Sequence, residues 1–349
     1  MKIVKSMLLG LGLVITASCM DMYNDLLQES GLESELYVKT IAGAYPTAES
    51  GYQDGTGTLA RFNAPYDITI VGGNLYVADR YNNAIRKIEI SSGNVTTYFT
   101  IISPVGITTD GSNLYVTTVN HVIYKMVLSN SIISVLAGLS ENSGSADGPA
   151  ALARFNFPRG MVVVGSNLYV ADMNNHTIRK IDLTGLTVST FCGLATFTGT
   201  TDGTGTNARF SKPIGITSDG TNLYVADNAN HIIRKIVIAT ADVSTIAGSG
   251  TQGFVDAKGR LAEFDYPVGI FYHDSFLFVT DQNNYAVRQI RLSDMQVTTI
   301  AGGNGSGLLD GEVSSAQFTQ MKGLVMDDKN LYIVDFMSDA IRKLYKEFK

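Results

Sequence analysis

The stretch 167–181 reads NLYVADMNNHTIRKI, and it decides the fold. Related stretches begin at residues 74, 113, 222, 276 and 330, so the motif occurs six times in the chain. From the second copy onward it recurs every 54 or 55 residues, whereas the first step is 39 residues. A repeat of this length indicates an array of like units that bury their surfaces against one another.

Each repeat predicts four short antiparallel strands. In the fourth repeat these are residues 213–217, 223–226, 232–238 and 243–248, separated by turns rich in Gly, Asn and Asp. No sustained helical periodicity follows the N-terminal segment. Six units of this kind predict an all-β, six-bladed propeller with four-stranded antiparallel blades.

The order of the strands predicts how the ring closes. The first strand, residues 38–43, has the pattern of a fourth strand, and the chain ends just after a third-type strand at 341–344. We predict that the N-terminal strand lies beside the last one and completes the last blade. This pairing would cover an edge that is otherwise an aggregation hazard.

These residues resemble NHL repeats. The pattern Pro-x-Gly-Ile, Leu-Tyr-Val-Ala-Asp and Asn-x-x-Ile-Arg-Lys is present at 213–216, 223–227 and 230–235. The resemblance covers nearly the whole chain from residue 36 and implies a six-bladed propeller. Proteins with this repeat include RNA-binding domains, lyases, extracellular adhesion modules and bacterial envelope proteins, so the fold leaves the function open.

The N-terminus is typical of a signal peptide. Lys2 and Lys5 precede an apolar run at 7–15 that is too short for a transmembrane helix. The sequence Thr-Ala-Ser-Cys at 16–19 resembles the lipobox of bacterial lipoproteins, which implies that Cys19 is the lipidated first residue of the mature protein.

The domain boundaries follow from this assignment. Residues 1–18 form the signal peptide, 19–35 the lipidated Cys and a tether, and 36–349 the propeller. We therefore expect a membrane-anchored protein of the bacterial cell envelope, on the periplasmic or surface side. The other cysteine, Cys192, falls where other repeats carry Ala, so we expect a small buried residue there.

Five repeats carry an Asp seven residues before an Arg. The pairs are Asp79 and Arg86, Asp172 and Arg179, Asp227 and Arg234, Asp281 and Arg288, and Asp335 and Arg342. The second repeat has Thr118 and Tyr124 instead, and this joint loss indicates that each Asp contacts its own Arg. We interpret the pairs as structural clasps, because a buried carboxylate needs a cationic partner. The alternative is a ring of ligand-binding groups on one face.

Long inserts precede five of the blades and emerge on the same face as the turns between second and third strands. The candidate binding residues on this face are Arg61, Arg154 and Arg209 in the inserts and His121, His176 and His231 in the turns. The histidines lie one blade apart, so they cannot share the first shell of one zinc ion. The second blade lacks an insert, and its sector is the first place to look for a partner.

The residues that follow the initial Pro of each repeat, or Met321 in the sixth, should line the mouth of the central channel. They are Tyr66 and Asp67, Val105 and Gly106, Arg159 and Gly160, Ile214 and Gly215, Val268 and Gly269, and Lys322 and Gly323. One acid and two cations do not form a site for a hard cation, so we expect no catalytic residue, metal or cofactor.

The net charge of the chain and the predicted export signal limit the class of partner. The formal net charge of −6 disfavours nucleic acid, which is bound mainly through Lys and Arg. We expect a monomeric, non-catalytic binding or scaffolding module for a protein, peptide or glycan. The alternative is a metal-dependent lyase or lactonase-like enzyme that uses the central channel.

Overall fold

A computed structural model describes residues 34–348, with side chains from 35 to 347. These residues form six antiparallel sheets, and the inner strand of each sheet contacts the inner strands of both neighbours in a closed ring. The second strands, such as Asn222–Asp227, are buried from their second residue onward because a neighbouring blade covers each face. The prediction of a six-bladed, all-β propeller is therefore confirmed.

The blades are numbered in chain order, and their strands run from the channel outward. Blade 1 contains Pro65–Val71, Asn74–Asp79, Ala84–Glu89 and Asn94–Thr100; blade 2 contains Pro104–Thr109, Asn113–Thr118, Val122–Val127 and Ile133–Gly138. Blade 3 contains Pro158–Val164, Asn167–Asp172, Thr177–Asp182 and Thr187–Cys192; blade 4 contains Pro213–Ser218, Asn222–Asp227, Ile232–Val237 and Asp242–Ala247. Blade 5 contains Pro267–His273, Phe276–Asp281, Ala286–Arg291 and Gln296–Gly302; blade 6 contains Met321–Met326, Leu331–Asp335, Ala340–Phe348 and Ser34–Ala42.

Ring closure follows the predicted pairing. Val38 pairs with Leu344 and Ala42 with Ile341 in antiparallel register, so the first strand is the outer strand of blade 6. This strand begins at Ser34, two residues before the predicted start of the propeller. The signal peptide, Cys19 and most of the tether lie outside the described residues.

Four blades carry a fifth, two-residue strand that the sequence did not predict. These strands are Gly55–Thr56, Gly148–Pro149, Gly203–Thr204 and Gly311–Glu312, and each lies within an insert. They pair with the outer strand of the blade that follows them, for example Gly55 with Val95. In blade 5 a single bridge from Lys258 to Gln296 takes this place. The inserts therefore cover outer edges of blades.

The remaining regular structure is short. Six 3-10 turns occur, at Gly57–Leu59, Met173–Asn175, Gly205–Asn207, Asn228–Asn230, Gly259–Leu261 and Phe336–Ser338 in the part of the chain that is described. The core lies between adjacent blades, where one blade's second and third strands pack on the next blade's first and second strands. At the closing interface, Val334 and Ile341 of blade 6 pack against Ile68 and Val77 of blade 1.

Candidate ligand site at the channel mouth

The clasp arginines hold the inserts as well as the turns. Arg86 donates from Nη1 to Asp79 at 2.9 Å and from Nη2 to Asp54, in the preceding insert, at 2.7 Å. It also donates to the main-chain oxygen of Arg61, and its guanidinium lies 5.0 Å from the ring centre of Phe62. Both Arg86 and Asp79 are fully buried. Each clasp is thus an arginine between two carboxylates, one from its own strand pair and one from the insert.

The same arrangement recurs in blades 3, 4, 5 and 6. The insert carboxylates are Asp147, Asp202, Asp256 and Asp310, which bind Arg179, Arg234, Arg288 and Arg342. Each insert Asp also accepts a hydrogen bond from a Thr of the outer strand, such as Thr97 or Thr245. Blade 2 has no insert and carries Val135 at this Thr position. The missing clasp of blade 2 therefore follows from its missing insert.

The insert arginines make internal hydrogen bonds. Arg61 donates from Nη1 to the carbonyl of Thr58 at 2.8 Å, and Arg209 donates to that of Thr206 at 2.7 Å. Arg154 donates to the carbonyls of Leu152 and Ala153 in its own insert. These three side chains therefore brace the turns that precede the buried Phe of each insert.

The histidines connect neighbouring blades. His121, His176 and His231 accept hydrogen bonds at Nδ1 from the main-chain amides of Phe157, Lys212 and Tyr266 in the next blade, at 3.0–3.1 Å. In blades 1 and 6 the equivalent residues are Asn83 and Asp339, and each accepts a hydrogen bond from the corresponding main-chain amide through a side-chain oxygen. Because Nδ1 must be unprotonated to accept, the contact requires a neutral imidazole, and burial lowers the pKa of all three histidines.

A ring of glycines forms the narrow part of the channel. A Cβ on Gly215 would lie 2.2 Å from the carbonyl oxygen of Val268, and the other four glycines of the ring meet the next blade as closely. Asp67 is the sixth member and the only one with a side chain. Its carboxylate accepts hydrogen bonds from the amides of Ile68 and Ile107 at 2.9 Å, and burial raises its pKa to about 7.

Three cationic side chains surround one aromatic ring above these glycines. The Arg159 guanidinium, the Lys322 ammonium and the Arg80 guanidinium lie 4.5, 5.3 and 6.0 Å from the ring centre of Tyr66. Arg159, Tyr66 and Lys322 are only 6%, 7% and 8% exposed. Arg80 follows the second strand of blade 1, a position that the sequence analysis did not include in the channel. We call these four residues the mouth cluster.

Arg159 lacks the partners that the clasp arginines have. Its guanidinium lies 4.5 Å from the ring centre of Tyr66 and 4.3 Å from that of Phe157, and its Nε and Nη1 have no hydrogen-bond acceptor among the described residues. No described carboxylate lies within 4.0 Å of Arg159, Arg80 or Lys322, although Lys322 donates to the side-chain oxygen of Gln282. A cavity of about 30 Å³ lies against Arg159 and Tyr66.

The cations of the mouth cluster influence one another. Burial, together with the nearby charges of Arg159 and Arg80, lowers the pKa of Lys322 to about 7. Lys322 and Asp67 therefore both change charge close to neutral pH. Perturbed pKa values of this kind are typical of functional sites, although structural groups also show them.

Other candidate sites carry less chemistry. Within the described range, no group of three or more His, Cys, Asp or Glu side chains could hold a metal ion. Cys192 is buried, and burial raises the pKa of its thiol to about 12. Among the helices of residues 34–348, none is long and apolar enough to cross a membrane.

Comparisons with known sequences identify distant relatives. No protein-family model matches the chain. It is 28% identical over 293 residues to the chloroplastic protein SUPPRESSOR OF QUENCHING 1 of Arabidopsis thaliana, covering 73% of this chain and 28% of that protein. It is 26% identical over 315 residues to NHL repeat-containing protein 2 of Homo sapiens, covering 75% of this chain and 43% of that protein. The chain thus spans less than half the length of these relatives.

Solved structures share the fold. An auxiliary nutrient binding protein from Bacteroides thetaiotaomicron matches with a TM-score of 0.72 and 18% identity, covering 90% of this chain and 77% of that one. A catalytically inactive variant of virginiamycin B lyase from Staphylococcus aureus matches with a TM-score of 0.53 and 15% identity, covering 90% of this chain and 99% of that one. Similarity at this level of identity establishes the fold alone.

Proposed function

This chain is a six-bladed β-propeller whose homologues include NHL repeat-containing proteins, and we propose that it works as a non-catalytic binding module. The mouth cluster carries the proposal. A buried cation without a paired carboxylate costs stability, so the buried Arg159 and Lys322, with the half-buried Arg80 beside them, are typical of a site that receives a ligand. The closed ring of blades holds these side chains in a fixed arrangement before the ligand arrives.

The binding face is the one that carries the inserts. The inner strands begin on this face, the inserts lead into them, and the turns with the histidines lie beside them. We propose that a protein, peptide or glycan partner approaches here, with the channel mouth at the centre of its footprint. The fold is shared with a protein described as an auxiliary nutrient binding protein, which is consistent with ligand capture.

We also propose that the propeller is held at a membrane of the bacterial cell envelope by lipid on Cys19. The support is the charged and apolar pattern of residues 1–18 and the Thr-Ala-Ser-Cys sequence that follows. The propeller would then act as a monomer that presents its insert-bearing face to ligands outside the cytoplasm.

An enzyme that uses the channel is the second candidate. Two observations favour it: the pKa values of Asp67 and Lys322 are both about 7, and the fold is shared with virginiamycin B lyase. Groups that titrate near the working pH can act as general acid and base. Stoichiometric Ca²⁺ or Zn²⁺ in the purified protein would favour this metal-dependent alternative over a binding module.

Site-specific photo-crosslinking in intact cells tests the binding face. A photoreactive residue at Tyr81, exposed beside the mouth cluster, is compared with one at Ser112, exposed in a turn at the opposite face. We expect a defined crosslinked product from position 81 and none from position 112. Equal products from both positions, or products from position 112 alone, would contradict a partner at the channel mouth.

A further inference from the structure

We propose that the mouth cluster binds the carboxylate of an acidic sugar, a hexuronic acid or a glycan that ends in one. This inference rests on the proposed binding function and names the ligand class of the same site. Its basis is the juxtaposition of an unpartnered guanidinium, two further cations, a small cavity and a rim of aromatic rings.

The guanidinium of Arg159 supplies the anion specificity. It lies 4.5 and 4.3 Å from the ring centres of Tyr66 and Phe157, so the interactions left to it are in-plane hydrogen bonds, and Nη1, with which the clasp arginines bind a carboxylate, has no acceptor. Guanidinium groups present rigid donors that match a planar carboxylate, and such charge-assisted hydrogen bonds are about twice as strong as neutral ones. A carboxylate therefore has the geometry and the charge to accept the hydrogen bonds that this side chain can still donate.

Two threonines hold the cationic residues in place. Thr117 of blade 2 donates to the carbonyl of Arg159 in blade 3 at 2.8 Å, and Thr280 of blade 5 donates to the carbonyl of Lys322 in blade 6 at 2.7 Å. The second strands of blades 1, 3 and 4 carry Ala at the same position. Threonine thus occurs in these two blades beside the residue whose side chain reaches the mouth.

The cavity limits the size of the group that enters. A volume of about 30 Å³ exceeds what one water molecule needs, but it is far below the size of a sugar ring. The ligand's anionic group would therefore enter and its body would stay at the rim. There the half-buried rings of Phe157 and Phe336, beside Arg159 and Lys322, and the exposed ring of Tyr81, beside Arg80, offer apolar surface. Such faces suit the C–H surface of a sugar ring.

The charge of the site depends on pH. The titratable groups that face it are Arg80, Arg159, Lys322, Tyr66 and, at its base, Asp67. As the pH rises through about 7, Lys322 loses its positive charge and Asp67 gains a negative one. Both changes weaken attraction for an anion, so affinity for a carboxylate falls across this range, and binding within it is accompanied by proton uptake.

Calorimetric titration of the purified protein with sodium glucuronate tests the inference. Glucose, acetate, inorganic phosphate and a neutral-bodied tripeptide serve as comparison ligands. We expect saturable 1:1 binding of glucuronate, affinity at least about tenfold weaker for acetate and the tripeptide, and none for glucose. Stronger binding of acetate, phosphate or the tripeptide than of glucuronate would overturn the assignment to an acidic sugar.

A matched substitution tests the role of Arg159. Arg159→Ile places in blade 3 the residue that blade 4 carries as Ile214, and Arg291→Ile removes a partly exposed arginine at the end of a third strand, on the opposite face. We expect Arg159→Ile to abolish glucuronate binding with an unchanged or raised unfolding temperature, because it removes a buried unpaired charge. Arg291→Ile should bind as the parent does. Retained binding in Arg159→Ile would overturn the inference.

A second variant covers the case in which Arg159→Ile does not fold. Lys322→Gln keeps a polar side chain beside Gln282 and removes the titrating ammonium. We expect weaker glucuronate binding and a smaller loss of affinity between about pH 6 and about pH 8 than in the parent. An unchanged pH dependence would contradict the role of Lys322. If glucuronate does not bind while crosslinks still form from position 81, the binding function stands and only this ligand assignment fails.

Discussion

Arg86 donates a 2.7 Å hydrogen bond from Nη2 to the carboxylate of Asp54, a residue 32 positions earlier in the chain. This contact joins the insert to a blade, whereas the contact of Arg86 with Asp79 joins two strands within the blade. In five of the six blades, an arginine thus links the insert to the strands of the blade. Substitutions at the clasps, in the first strand and at the inter-blade histidines test how much such contacts contribute to the stability of the ring.

The two carboxylates of a clasp should differ in their effect on stability. Asp227→Ala leaves a fully buried Arg234 beside a single carboxylate, and we expect the free energy of unfolding to fall by about 3–5 kcal/mol. Asp202 is partly exposed, so Asp202→Ala should cost only about 1–2 kcal/mol. Urea denaturation measures both. Equal losses, or a loss of ligand binding without a loss of stability in Asp227→Ala, would contradict the clasp interpretation.

Ring closure should depend on the first strand. Val38 is buried against Phe318 and Leu344, so Val38→Asp should lower the free energy of unfolding by at least about 3 kcal/mol. The adjacent Lys39 is exposed, and Lys39→Asp should change it by less than about 1 kcal/mol. Deletion of residues 36–43 should lower the thermal midpoint markedly. An unchanged melt after the deletion would show that the ring closes without this strand.

The histidines should make stability sensitive to acid. Their pKa values are lowered in the folded state, so their contribution is complete above the unfolded value of about 6.5 and decreases as the pH falls below it. Burial raises the pKa of clasp carboxyls such as Asp227, to about 6, and this acts in the opposite direction. The contribution of the histidines must therefore be measured as the difference in the pH dependence of stability between the parent and a variant that lacks them.

Replacement by asparagine isolates the histidine contribution. Asn83 accepts the inter-blade amide of blade 1 without titrating, in the same left-handed backbone conformation as the histidines. The triple variant His121→Asn, His176→Asn, His231→Asn should lose less stability than the parent between about pH 7 and about pH 5. Thermal denaturation at several pH values measures the difference. If the stability of the triple variant and that of the parent change with pH in the same way, the histidines are not the source of the acid sensitivity.

Membrane attachment should depend on Cys19. Cys19→Ala removes the sulfur that would carry the lipid, and we expect the protein to move from the membrane fraction to the soluble fraction after export. Cys192→Ala is the matched control, because other blades carry Ala at that position and the thiol is buried. Cell fractionation with immunoblotting measures both. A Cys19→Ala protein that stays in the membrane fraction would exclude a lipid anchor at this residue.

The Cys192 thiol should be unreactive in the native protein. Burial raises its pKa to about 12, so almost no thiolate is present at neutral pH, and the sulfur is covered by neighbouring strands. We expect an aromatic disulfide reagent to label it at least about a hundredfold more slowly in the native state than in urea. Rapid labelling of the folded protein would point to a reactive thiol.

The fold was predictable because its information is local and repeated. The period, the Gly and Asn turns and the apolar second strands each occur within one repeat, and the pairing of the strand at 38–43 with the strand at 341–344 followed from an incomplete first unit. The contact between Asp227 and Arg234 could also be predicted, because a separation of seven residues places both on the two strands of one hairpin.

The contact between Asp54 and Arg86 was not predicted, because an insert has no periodicity that places its side chains. One signal was present: blade 2 lacks the clasp and the insert together. Only part of the mouth cluster could be predicted from the sequence. Tyr66, Arg159 and Lys322 belong to blades 1, 3 and 6, and only closure of the ring brings them around one point. Arg80 follows a second strand, where no spacing rule assigned it to the channel.

The pairing of Val38 with Leu344 also orders the folding of the chain in time. The hydrogen bonds between the outer and third strands of blade 6 join residues about three hundred positions apart, so they cannot form until the C-terminal strand is available. Blades 1 to 5 can stack earlier, each on its predecessor, but an open array leaves the apolar faces of its two end blades uncovered. Ring closure therefore requires both ends of the chain, and a chain whose ring has not closed leaves apolar blade faces exposed to aggregation.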